Sequence, residues 1–182
     1  MGEAVNRYGQ IDVLVNNAGA STLIPHDDLG SVTDEVWETM LGANLIGPWY
    51  ATRAAVPHLR HVNGCVINIT SVAGLRDTFH SAIPYAVAKA ALNHLTLLLA
   101  NALGPDVRVN AVAPGLIMSR MASNAEIFDS LEARVRKTTP LGRVGEPSDI
   151  GDTCVLLAQS TYVTGQVVAC DGGLHIRVGR LD

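Results

Sequence analysis

The stretch from Cys65 to Asn93, CVINITSVAGLRDTFHSAIPYAVAKAALN, constrains the fold of this chain more than any other. It opens with a short apolar run, crosses a loop and enters an alanine-rich helical segment. A strand that feeds a helix in this way is half of a βαβ unit. Apolar runs recur at residues 11–16 (IDVLVN), 65–69 (CVINI), 108–113 (RVNAVA) and 163–169 (VTGQVVA), with helical segments between them. This alternation predicts an α/β fold, a Rossmann-like parallel sheet with helices on both faces and right-handed crossovers.

The helices have readable ends. Residues 1–10 read as the last turns of a helix that stops at Gly9. Thr33 is the predicted N-cap of the next, with Asp34 and Glu35 in its first turn, where they suit the helix dipole. That helix runs through Trp37 and Met40 into Asn44. Another spans residues 47–61. The longest spans residues 85–103, with Ala88, Leu92, Leu95, Leu99 and Leu103 on one stripe. Ser148 is the predicted cap of a final helix through Ala158.

Three residues of the central stretch carry chemistry. Ser71 falls where the strand ends. Tyr85 and Lys89 fall four residues apart at the start of the long helix, on one helical face. A phenol ordinarily ionises near pH 10, and a neighbouring ammonium lowers that value by favouring the phenolate. A hydroxyl at the strand end can hydrogen-bond a substrate oxygen. Together they suit proton transfer to or from an alcohol or carbonyl oxygen. A Y-x-x-x-K pair alone occurs by chance on many helices.

Composition narrows the rest. The chain has 182 residues, 48% hydrophobic and 16% charged, with a net charge of −4. That describes one globular domain without a basic stripe for nucleic acid. Cys65, Cys154 and Cys170 have no metal-type spacing and read as small buried side chains in a reducing compartment. His58 and His61 read as surface histidines. No contiguous apolar run has transmembrane length, and MGEAVNRYGQ has no signal-peptide core, so the expected location is cytoplasmic, off the membrane.

Around this stretch lie Asn16-Asn17-Ala18-Gly19, the ANLIG segment with Asn44, NAVAPG at residues 110–115, and Asp171-Gly172-Gly173. In this order and spacing the chain resembles the short-chain dehydrogenase/reductase family over nearly its whole length. The resemblance implies an NAD- or NADP-dependent oxidoreductase that interconverts a secondary alcohol and a carbonyl. It implies Tyr85 as acid/base, Lys89 as the residue that lowers its pKa and holds the nicotinamide ribose, and Ser71 as the group that positions the substrate oxygen. Asn44 would hold a relay water through its backbone. Asn17, Ala18 and Gly19 would line the adenosine side of the cofactor, and Pro114, Gly115, Ile117 and Ser119 the nicotinamide side. The segment from Met118 to Lys137, with Met121, Phe128 and Leu131, matches the usual substrate lid. The long helix implies a homo-oligomer, a dimer or tetramer.

The family's opening strand and Gly-rich pyrophosphate turn have no counterpart here. The chain contains no G-x-G-x-x-G, and residues 11–16 correspond to the family's fourth strand. IDVLVN is therefore expected at a sheet edge, largely apolar and uncharged except for Asp12. Two readings follow. In one the chain belongs to an active oxidoreductase. In the other it is a catalytically silent relative that assembles with itself or a longer homologue.

Overall fold

The computed structural model describes residues 1–77, 81–118, 132–133 and 135–176. Four parallel strands, β1 (Val13–Asn16), β2 (Cys65–Ile69), β3 (Arg108–Pro114) and β4 (Val167–Cys170), form one sheet in the order β1-β2-β3-β4. Register pairs Val15 with Ile67, Asn68 with Ala111 and Val112 with Val168. The helices described along their whole length are α1 (Gly2–Tyr8), α2 (Asp34–Leu41), α3 (Gly47–Arg60), α4 (Ile83–Leu103) and α5 (Pro147–Gln159).

Strand side chains alternate between two cores. On one face Leu14, Val66 and Val109 meet α1, α3 and α4 through Val5, Ala55, Leu59, Leu99 and Leu103. On the other, Cys65, Ile67, Val112 and Val168 meet α5 through Ile150, Cys154, Leu157 and Ala158. The α5 layer leaves β1 bare: Val13 is 39% and Val15 44% exposed. β1 is thus a sheet edge, with one of its faces uncovered.

A polar line crosses the first core. The Asn16 amide donates to Asn68 Oδ1 at 2.8 Å and to Thr52 Oγ1 at 3.0 Å, and Asn68 donates to Thr96 Oγ1 at 2.9 Å. These bonds satisfy buried groups that would otherwise each cost about 1–3 kcal/mol. They also tie α3, β1, β2 and α4 into one register.

Several element ends differ from expectation. The α5 cap is Glu146, not Ser148, because Asp149 folds back to accept the Glu146 N–H at 2.7 Å. The last strand starts at Val167 instead of residue 163, because Gly165 has φ +70° and turns the chain before it. Arg108 supplies the other end of α5: its guanidinium donates to Leu157, Ala158 and Val163 carbonyls at 2.9, 2.8 and 3.3 Å. α4 has the length and mean apolar character of a membrane span. It is nonetheless a core helix, with Lys89, Asn93 and Thr96 buried along it.

Candidate active site

Parallel strands all end at the same edge of the sheet, so their C-terminal loops meet there. β1 delivers Asn17, Ala18 and Gly19, β2 delivers Ser71, and β3 delivers Pro114, Gly115 and Ile117. The start of α4 brings Tyr85 and Lys89.

Ser71 is in extended backbone and caps the short 3-10 turn Val72–Gly74; its Oγ accepts the Ala73 N–H at 3.1 Å. That turn lies flat on α4. A methyl on Gly74 would stand 2.6 Å from the Lys89 carbonyl carbon and 2.7 Å from the Ala90 nitrogen, so only glycine permits this approach. The contact brings Ser71 to the start of α4, where its hydroxyl acts on the Tyr85 phenol by hydrogen bonding and pulls its pKa down.

Burial pushes the Tyr85 phenol above its ordinary value of 10, and the Ser71 hydrogen bond only partly offsets this. The net shift is upward, against the lowering expected from Lys89. The Lys89 ammonium lies 5.7 Å from the Tyr85 ring centre and donates to the Ile69 carbonyl at 2.9 Å. Its own pKa is pushed down to about 8 by burial.

Asn44 is fully buried in a π-helical turn, Gly42–Ile46, between α2 and α3. Its amide donates to the Met40 carbonyl at 3.0 Å, the group its own backbone would bond in an α-helix, and so accompanies the wider turn. The same side chain grips the loop after β1. It donates to Ala20 O at 2.8 Å and accepts from Ala20 N at 3.3 Å. A methyl on Gly19 would stand 2.6 Å from Asn44 Oδ1 and 3.6 Å from Lys89 Nζ. Asn44, Gly19 and Lys89 therefore occupy one cluster. Asn44 enters it through its side chain, a role its sequence context did not reveal.

On the far side, Gly115 packs against the Asp171 turn. A methyl there would meet Asp171 Cβ at 2.8 Å and Cα at 2.9 Å. Asp171 organises that turn by accepting from Gly173 N at 2.9 Å and His175 N at 2.6 Å. Ile117 bridges to Gly145, which locks the loop leaving β3. Ser119, Met121, Phe128 and Leu131 lie outside the described residues. Asn93 escaped sequence reading, although its position four residues beyond Lys89 puts it on the same helical face. Its amide donates to the Gly74 carbonyl at 3.1 Å.

The donor set suits the nicotinamide end of a dinucleotide. A phenol, an ammonium and a hydroxyl face a loop edge whose glycines leave room for close packing. The Gly-rich turn that would hold pyrophosphate has no counterpart in the sequence.

Known proteins share this fold. The family model described as Enoyl-(Acyl carrier protein) reductase matches residues 1–175. A protein named as ketoacyl reductase 2 of the granaticin polyketide synthase, from Streptomyces violaceoruber, is 51% identical over 174 residues, 95% of this chain and 70% of that protein. A structure from Burkholderia xenovorans, assigned to the short-chain dehydrogenase/reductases, matches with TM-score 0.87 and 37% identity over 97% of this chain and 70% of that one. ElxO with NADP bound matches with TM-score 0.86 and 28% identity, over 97% of this chain and 72% of its own. The chain thus spans about 70% of the length of these proteins. With its parallel sheet and its matched segments in family order, the chain belongs to the short-chain dehydrogenase/reductase family of NAD(P)-dependent oxidoreductases.

Proposed function

We propose that this chain reduces the keto group of a ketoacyl substrate to a secondary alcohol. The observation that carries the reading is the Ser71–Tyr85 pair, whose buried phenol keeps its proton at neutral pH. A protonated phenol is ready to act as a general acid toward the oxygen of a carbonyl that is being reduced. Ser71 holds that oxygen by a hydrogen bond. Tyr85 transfers its proton to it, and the phenolate regains one from solvent. Lys89 favours the phenolate while it is charged, and anchors the loop edge beside Gly19. A nicotinamide cofactor, when bound, would be the source of the hydride. Asn17, Ala18 and Gly19 would flank the cofactor on one side, and Pro114, Gly115, Ile117 and Ser119 on the other. Asn44 serves as the brace of the first loop.

The granaticin relative at 51% identity supports the choice of a ketoacyl substrate. The matching family description names enoyl reduction, in which a C=C bond takes the hydride. Ser71 and Tyr85 both address an oxygen, which favours the keto group. The test offers 3-oxoacyl and enoyl thioesters with NADPH and with NADH, and follows nicotinamide absorbance. We expect 3-oxoacyl turnover, and a loss of about 10²–10⁴-fold in Tyr85→Phe with an unchanged circular dichroism spectrum. Near-normal turnover in Tyr85→Phe would sink the assignment.

A second reading, assembly with another copy of the chain, draws on exposed apolar surface. α4 presents Val87, Leu97 and Leu98 at 44%, 46% and 55% exposure, and β1 presents Val13 and Val15. A homo-oligomer, a dimer or tetramer, would cover one of these surfaces. Three free thiols suit a reducing, cytoplasmic setting.

A further inference from the structure

We propose that Asn93 is a positioning residue: its amide clamps the Gly74 carbonyl and thereby sets the Ser71 hydroxyl against the Tyr85 phenol. The inference rests on the Ser71–Tyr85 reading above.

Three contacts carry it. Asn93 Nδ2 donates to Gly74 O at 3.1 Å. Gly74 ends the Val72–Gly74 turn, and its own N–H donates to Ser71 O at 2.9 Å. Ser71 Oγ is in turn fixed from within that turn by the Ala73 N–H at 3.1 Å. The amide of Asn93 thus reaches the hydroxyl of Ser71 through one rigid turn of four residues. Gly74 allows the turn to lie against α4, and Asn93 holds it there.

The other end of the Asn93 side chain points to a specific role. Its Oδ1 is buried without a hydrogen-bond partner, and the residue is 8% exposed. Leaving a buried acceptor unpaired is destabilising. A leucine would fill similar volume without that cost. The bond to Gly74 O is the one interaction of this amide that offsets it among the described residues. Asn93 also lies on the α4 face shared by Tyr85 and Lys89, so the clamp and the pair it positions ride on one helix.

The test reads the Tyr85 phenol directly and needs neither cofactor nor turnover. The full chain is produced with 3-fluorotyrosine, which lowers phenol pKa values so that titration precedes alkaline unfolding. Each tyrosine is followed by fluorine NMR, and the Tyr85 line is assigned by its loss in Tyr85→Phe. Lys89 is the charged group facing the ring, and it is kept intact in every variant. Ser71→Ala defines the full upward shift caused by losing the hydroxyl. We expect Asn93→Leu to produce about half of that shift or more, and the double variant to shift no further than Ser71→Ala alone, as two residues acting through one contact should. Asn93→Ser, which keeps a small polar side chain too short to reach Gly74, should behave as Asn93→Leu does and covers the case in which leucine does not fold. His94→Ala, exposed on the same helix, should leave the line in place. A shift in Ser71→Ala with none in folded Asn93→Leu or Asn93→Ser overturns the clamp alone. Full additivity in the double variant also overturns it. A Tyr85 line indifferent to Ser71→Ala overturns the pairing on which both the clamp and the proposed reaction stand.

Discussion

Burial holds the Lys89 pKa at about 8, against 10.5 for an exposed lysine. Between those values the unfolded chain keeps a proton that the native chain has released. Stability therefore rises as pH climbs from about 8 toward 10.5, and the cost of burying the charge, about 3 kcal/mol, is fully present below pH 8. Tyr85 works in the opposite direction above pH 10, where the unfolded phenol ionises first. Lys89→Met should thus stabilise the fold at pH 7 by about 2 kcal/mol, net of the lost bond to the Ile69 carbonyl, while abolishing turnover. Urea unfolding at pH 7 and pH 9.5 checks this, because the gain should shrink at the higher pH. An equal gain at both would mean that the buried charge is not its source. Together the two groups predict that reduction of a keto substrate declines first as Lys89 loses its charge near pH 8 and further as pH rises toward the raised Tyr85 value, which a pH–rate profile measures.

The element that sets the site is the turn after β2, pressed onto α4 through Gly74. Backbone lies on the far side of the contact, 2.6 and 2.7 Å from where an added methyl would sit, so little can yield. Gly74→Ala should cost about 1–3 kcal/mol and lower the melting temperature by about 5 °C. Turnover should fall further than the lost stability explains, because the turn carries Ser71. Thermal unfolding and kinetics on the same preparation separate the two effects, and an unchanged melting temperature would show that the turn lifts away freely. The Asn16–Asn68–Thr96 line works alongside this turn. It holds β1, β2 and α4 in the register that brings their C-terminal loops together.

At the scale of the whole molecule, one edge of the sheet gathers chemistry and another side exposes apolar surface. Val13 and Val15 lie on β1, and Val87, Leu97 and Leu98 on α4. Sedimentation of the purified chain should show a species larger than the monomer. Leu98→Glu should shift it to monomer if α4 forms the contact, and Val15→Lys should do so if β1 does. A wild-type chain that sediments as a monomer at high concentration would remove the assembly reading.

The four strands and helices α1 to α5 were legible in the sequence, because each rests on local pattern, and the grouping of Ser71, Tyr85 and Lys89 as a candidate site rests on the same ground. Apolar runs, caps and the four-residue spacing on α4 are properties of a few neighbouring residues. The order of the described strands also follows the family order of segments. Tertiary structure alone decided the rest. Tyr85 is raised instead of lowered because burial, which depends on everything packed around it, outweighs a lysine that turns to the Ile69 carbonyl. Asn44 braces Ala20 across 24 positions of chain, and Arg108 closes α5 from 49 positions away. Asn93 shows no signal except its place on the helix. Pattern encodes which face of an element is apolar; which distant atom a buried polar side chain meets is settled only when the elements pack.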